Sequence, residues 1–130
     1  QQLRMDVISE NIANASTTRT QKGGAYRRKT VVFSEQDTTS FDHILNGYLG
    51  YYKPNGVKVT QVVEDPSDLR LVYEPDNPDA NEEGYVEYPN VDTVTEMTNL
   101  IDSSRAYEAN VTAFNAAKSI ASKGLELFKG

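Results

Sequence analysis

The sequence contains no cysteine, which excludes disulfides, thiol nucleophiles and thiolate metal sites and leaves the redox compartment open. Its one histidine, His43, has no second imidazole or thiol for company, so a loop or surface placement is expected for it and no catalytic or metal-binding role. No run of eighteen apolar residues exists, so no helix crosses a membrane. No basic start leads into an apolar stretch, so no secretory signal is visible. Gln1 is not a methionine, and the true start is expected upstream. Positive charge is also scarce: 13 Lys and Arg stand against 19 Asp and Glu, for a net charge of −6 and a pI near 4.7. That balance argues against general nucleic-acid binding, which needs phosphate-neutralising bases. Hydrophobic residues make up only 38%, with a mean hydropathy of −0.59, below the usual globular share. At 130 residues the chain fits one ordinary domain, or one small domain with extended terminal elements, and a sizeable single core is not expected.

What is present falls into three stretches: helix, β-rich middle, long helix. Met5, Ile8, Ile12 and Ala15 recur at spacings of three and four, the helical period, over residues 1–15. Asn14, Ser16, Thr17 and Thr18 then favour side-chain bonds to the backbone over helix continuation, and Gly23-Gly24 breaks the chain. From Tyr26 to about Tyr88 the texture is β-branched and aromatic, in runs at 26–33, 57–63 and 69–73 separated by Pro54-Asn55-Gly56, Asp65-Pro66-Ser67 and an acidic loop at 75–84. This pattern predicts a small, mostly antiparallel sheet; residues 35–52 are read as loop with one possible helical turn. Near Asp92 and Thr93 the helical period returns. Thr93 and Glu96 have capping-box spacing, and no proline follows through Gly130. Two interleaved heptad rows run down this helix: Met97, Ser104, Val111, Lys118, Leu125, and Leu100, Tyr107, Phe114, Ala121, Phe128. Asp102–Arg105 and Arg105–Glu108 have the i, i+3 spacing of ion pairs. The fold class read from these patterns is α+β: N- and C-terminal helices forming an antiparallel, coiled-coil-like helical domain (residues 1–18 and 92–130) around a β-rich middle (19–91).

The two helices do not match in length. At 1.5 Å per residue the C-terminal helix runs roughly 50 Å and the N-terminal one only about 22 Å. A second apolar stripe, Ala106, Ala113, Ile120 and Leu127, widens the face that needs cover. A helix that cannot hide its apolar face within its own chain finds neighbours or stays partly unfolded. The expected assembly interface is therefore Met5, Ile8, Ile12 and Ala15 with Met97, Leu100, Tyr107, Val111, Phe114, Ala121, Leu125 and Phe128.

Charge is segregated. Arg19, Lys22, Arg27, Arg28 and Lys29 lie between Glu10 and Glu35 with no acid among them, whereas nine carboxylates from Glu64 to Glu87 share the single base Arg70. The five bases are read as candidate electrostatic contacts to carboxylates of neighbouring subunits, against the plainer reading of a solvated face. Asp79-Ala80-Asn81-Glu82-Glu83-Gly84 imitates the start of a calcium loop, but Asn90 stands where the closing Glu belongs and Pro75 and Pro78 precede it in place of a helix. Solvated loop is the better reading. Asn14-Ala15-Ser16 and Asn110-Val111-Thr112 match the glycosylation pattern by chance, since both lie on or beside helices. No cofactor and no metal ligand set is expected.

Two separated segments resemble a known family. In 4–18, an Asp-bearing helix closes on Asn11, Ile12, Ala13, Asn14 and then Thr17, which is similar to the N-terminal signature of flagellar rod and hook axial proteins. The second segment runs Tyr85-Val86-Glu87-Tyr88-Pro89-Asn90-Val91-Asp92, then Glu96-Met97 and Ser104-Arg105-Ala106-Tyr107-Glu108-Ala109-Asn110, and looks like the C-terminal signature of a proximal-rod member of that family. Gly56-Val57-Lys58-Val59, Val63-Glu64-Asp65-Pro66-Ser67 and Arg70-Leu71-Val72-Tyr73 resemble its middle. The Ser-Gly-Leu-type opening of the family is absent, and Asp68-Leu69 and Asn77 depart slightly. The resemblance marks Asn11, Ala13, Asn14, Thr17, Arg105, Tyr107, Glu108 and Asn110 as motif residues. It implies antiparallel terminal helices lining an inner tube with the middle region outside, and a structural, non-enzymatic role in the rod of the basal body. It also implies stacking with itself and other rod proteins in the periplasm, and export by the flagellar type III apparatus without signal cleavage. The competing reading is a soluble binding or hydrolytic module built on the acidic β-region. It gives no reason for long apolar seams at both chain ends.

Overall fold

A computed structural model describes residues 1–36, 45, 48 and 56–129, with side chains through Leu127. The elements are α1 (Gln2–Ala13), β1 (Lys29–Glu35), β2 (Val57–Glu64), β3 (Arg70–Tyr73), β4 (Tyr85–Tyr88) and α2 (Thr93–Lys129). The α+β class read from the sequence is the one observed. His43 and most of 35–52 lie outside the described residues.

Helix α1 ends where the sequence runs out of helix formers. Asn14 sits at φ −102° and ψ 13°, outside helical geometry. Its Nδ2 donates to the Glu10 carbonyl at 2.9 Å, and its Oδ1 accepts from the Thr17 hydroxyl at 3.1 Å. Asn14 thus caps the Glu10 carbonyl at the end of the helix, and Thr17 holds the Asn14 amide in place. Gly23 and Gly24 follow at φ +87° and +75°, a left-handed geometry that glycine alone adopts without strain.

The middle forms two separate antiparallel ribbons, β1–β2 and β3–β4, where the sequence pattern suggested one sheet. The Asp65-Pro66-Ser67 corner between β2 and β3 accounts for the split. Pro66 has no backbone N–H to offer a ladder, and Asp65 Oδ1 accepts the Ser67 N–H at 2.9 Å, turning the chain away. Between the pairs Val32–Gln61 and Phe33–Val59 the register shifts, leaving Thr60 as an extra residue that bulges β2. Strand β4, not counted among the sequence runs, pairs Val86 with Val72, and Val86 is fully buried. The apolar core is correspondingly small. Among the described residues only Val7, Ile8, Tyr26 and Val86 are buried hydrophobics.

At α2 the expected capping box is replaced by another arrangement. The cap is Asp92, whose Oδ1 accepts the Thr95 N–H at 2.8 Å, and that bond holds its carboxyl below the usual carboxylate range. Glu96 does not fold back toward the helix start because it is drawn into the protein interior. Helix α1 packs on both α2 and β1, and among the described residues the cover on α2 runs as far as Ala106, with Gly124 alone half-buried beyond it. Neither Arg105 pair forms an ion pair among the described residues; Asp102, Arg105 and Glu108 are all exposed, where such pairs contribute little.

Candidate assembly interface

The best-defined chemistry in the molecule is a buried polar junction joining α1, β1 and α2. Asn11 is 1% exposed and uses its whole amide. Nδ2 donates to the Lys29 carbonyl and to Glu96 Oε2, both at 2.9 Å, while Oδ1 accepts from the Tyr26 hydroxyl and the Lys29 N–H, both at 2.9 Å. An amide offers two donors and two lone pairs, so the residue is saturated. Glu96, also 1% exposed, receives Arg28 Nη2 at 2.8 Å and Nε at 2.9 Å on Oε1. Arg28 reaches on to Asp65 at 3.4 Å, and its backbone N–H donates to Asn90 Oδ1 at 2.8 Å. No buried side-chain polar atom among the described residues lacks a partner.

The junction sets its own titration behaviour. Burial first, then the carboxylates of Glu10, Glu64 and Glu96, push the Tyr26 hydroxyl up to about 12. The Ser67 N–H, the Ser67 hydroxyl and then Arg28 hold the Asp65 carboxyl below its ordinary value.

This arrangement shows which face of α1 the chain itself buries. Its buried positions are Val7, Ile8 and Asn11, so only Ile8 of the expected row is fully covered; Met5, Ile12 and Ala15 are half-buried. Two residues that sequence reasoning missed as interior, Asn11 and Glu96, are polar, and hydrophobic periodicity has no way to register them. Of the N-terminal motif residues, Asn11, Asn14 and Thr17 serve the fold of the chain itself, and Ala13 is exposed.

The basic segment is largely engaged within the chain. Arg19 pairs with Asp79, which also accepts the Thr18 hydroxyl at 2.8 Å; Arg28 pairs with Glu96 and Asp65, and Lys29 with Glu10 at 2.5 Å. Arg27 Nη1 donates to the carbonyls of Ser67 at 3.1 Å and Asp65 at 3.4 Å. Lys22 is exposed. In the calcium-like stretch, Asp79 is committed to Arg19, and Asn81 Oδ1 accepts the N–H groups of Glu83 and Tyr85. These oxygens shape a turn.

On α2 the pattern reverses. Leu100 is half-buried, but Met97, Tyr107, Val111, Ala121 and Leu125 are exposed, as are Ile101 and Leu127, and Phe114 is 70% exposed. The motif residues Arg105, Glu108 and Asn110 share that exposed stretch. The side chain of Phe128 lies outside the described residues. From Tyr107 through Leu127 a long apolar stripe stays exposed among the described residues.

Such a fold defines a class: an assembly protein with a small body and two terminal helices, the longer one exposing an apolar stripe among the described residues. Comparison with known proteins agrees. The family described as "Flagella basal body rod protein" matches residues 1–21, and that described as "Flagellar basal body rod FlgEFG protein C-terminal" matches residues 82–127. The flagellar basal-body rod protein FlgC of Bacillus subtilis is 49% identical over 99% of this chain and 89% of that protein. The FlgC proteins of Borreliella burgdorferi and Escherichia coli O157:H7 are 43% and 42% identical, over 100% and 98% of this chain and 90% and 87% of theirs. The chain belongs to the FlgC family of flagellar basal-body rod proteins, and its role is that of a structural rod subunit of the basal body.

Proposed function

We propose that the chain is a non-enzymatic subunit of the proximal rod, stacking helically with copies of itself and with other rod proteins into a hollow drive shaft. In this reading residues 1–18 and 92–130 form the assembly domain at the inner tube, and residues 19–91 the outer region. The chain reaches its periplasmic position through the flagellar type III export apparatus without signal cleavage. The observation that carries the reading is the stripe of α2 left exposed among the described residues. A soluble monomer seldom leaves Val111, Phe114, Ile120, Leu125 and Leu127 exposed along one helix, because such a patch is an interaction surface. Among the described residues no helix is long and apolar enough to cross a membrane, and the heptad spacing of the stripe suits another helix. Electron microscopy of basal bodies from a deletion strain tests the reading. Rings without rods, restored when the chain is supplied, are expected. Intact rods in the deletion strain would overturn it.

A further inference from the structure

The turn around Gly23-Gly24 borders an open groove, and the β3–β4 ribbon ends in an acidic tip. We propose that the tip of one copy docks in the groove of a second copy. This rests on the reading of the chain as a rod subunit, because a contact between unlike surfaces continues along an axis where a symmetric one closes.

The groove is about 740 Å³ and is walled by Asn14, Thr17, Lys22, Tyr26, Arg27 and Glu64. Of the cations on its rim, Lys29 and Arg19 already hold carboxylates. Lys22 is exposed and has no carboxylate within 4.0 Å among the described residues, and Arg27 donates to neutral carbonyls that leave its charge unbalanced. Glu64 offsets one of these two charges, so the groove keeps a positive surplus. The tip carries the opposite sign. Asp76, Glu82 and Glu83 are exposed and have no Lys or Arg within 4.0 Å among the described residues. Beside them Tyr73 and Tyr85 meet edge to face at 5.2 Å, the first largely and the second partly exposed, adding apolar area and π faces suited to Lys22 and Arg27.

The tip is also pre-formed. Glu74 N–H donates to the Gly84 carbonyl at 2.9 Å and Asn81 N–H to the Tyr85 carbonyl at 2.8 Å. Gly84 stands at φ +82°, where an added Cβ would lie 2.9 Å from Tyr73 Cε2. Docking a rigid tip orders little new chain and so loses little entropy. Asp79, on the flank of the same loop, is held by Arg19 and Thr18 of its own chain. Asp76, Glu82 and Glu83 remain for a neighbour.

Sedimentation velocity of the purified full chain at low ionic strength and high micromolar concentration is the first test. Reversible association that weakens with salt is expected; a strictly monomeric chain overturns the proposal. The groove variant Lys22→Glu and the tip variant Glu82→Lys with Glu83→Lys should each weaken self-association by about tenfold. An equimolar mixture of the two should recover it, because each then presents the charge the other needs. Association unchanged by either variant, or unrecovered in the mixture, overturns the docking. Since the chain has no native cysteine, an equimolar mixture of the single variants Lys22→Cys and Glu83→Cys should give the mixed disulfide dimer well beyond the share that random pairing of the two thiols produces. A mixed dimer at the statistical share counts against it. Basal-body micrographs separate the two levels: normal rods from all charge variants, with no rods in the deletion strain, sink the docking and leave the rod assignment standing.

Discussion

Asn11 sits where a helix–helix contact would ordinarily take an apolar side chain, and its surroundings require an amide. Two acceptors, the Lys29 carbonyl and Glu96, meet its nitrogen; two donors, the Lys29 N–H and the Tyr26 hydroxyl, meet its oxygen. Asn11→Asp keeps the shape and places an oxygen against both acceptors, next to the buried Glu96 carboxylate. The expected loss is about 3 kcal/mol or more at neutral pH, from unsatisfied buried groups and like-charge repulsion, measured as a lowered urea midpoint with unchanged slope. Tyr26 gives a second test. Its hydroxyl titrates near 12 in the folded chain and near 10 unfolded. The folded state thus holds the proton more tightly, and the stabilisation is complete below pH 10 and lost as pH rises from 10 toward 12. Tyr26→Phe should remove that part of the alkaline decline, read by thermal melts across the interval, with the late-titrating phenol missing from the absorbance titration of the folded protein. These residues show the limit of sequence reading at this scale. Asn11 was legible only as a motif letter and Glu96 only as a helix cap, because burying a polar side chain depends on partners 18 and 85 positions away.

Elements were more legible than their edges. The periodicity that placed helices at both ends and strands between them is local, and local patterns survive in the structure. The strand partners, the two-ribbon split and the replacement of the Thr93 cap by Asp92 are consequences of tertiary contacts, which periodicity does not carry. The structure also divides α2. Glu96 and Ser103 are buried against the body, whereas from Tyr107 through Leu127 every residue except Gly124 is exposed among the described residues. A helix stretch with no packed face depends on intrinsic propensity, which is marginal for a few turns in water. Hydrogen exchange of the dilute chain should therefore show protected amides from Thr98 to Ser104 and rapid exchange beyond about residue 108, with protection spreading toward the C-terminus on assembly. Uniform protection along α2 in a proven monomer would sink this division. Within β3–β4, Gly84→Ala combines a left-handed backbone with a Cβ at 2.9 Å from Tyr73. It should cost about 1–3 kcal/mol, visible as a lower melting temperature and loss of the tyrosine near-UV circular dichroism signal.

At the scale of the whole molecule, the mismatch between α1 and α2 separates what holds the chain together from what joins it to others. Twelve residues of α1 cover roughly 18 Å, and the 37 of α2 extend to roughly 55 Å, so about two-thirds of α2 extends past its partner. Ile8 and Phe114 lie on either side of that division, the first buried in the body and the second 70% exposed on the free helix. Ile8→Ala should cost about 2–5 kcal/mol in the isolated chain through the cavity it leaves. Phe114→Ala removes more carbon from a site already in water, so the isolated chain should change by no more than about 0.5 kcal/mol. If the free stripe is the rod contact, the same substitution forfeits about 3–5 kcal/mol for each subunit in the assembled state, and growth of a repeating structure multiplies the effect. Phe114→Ala should therefore leave the urea midpoint of the monomer in place while abolishing rods and motility in cells. A conservative Phe114→Leu, which keeps most of the apolar volume, should retain partial assembly. Wild-type motility in the Phe114→Ala strain, with the variant present at normal level, would show that the α2 stripe is not the rod contact. A fall in monomer stability matching that of Ile8→Ala would show instead that Phe114 packs inside the chain.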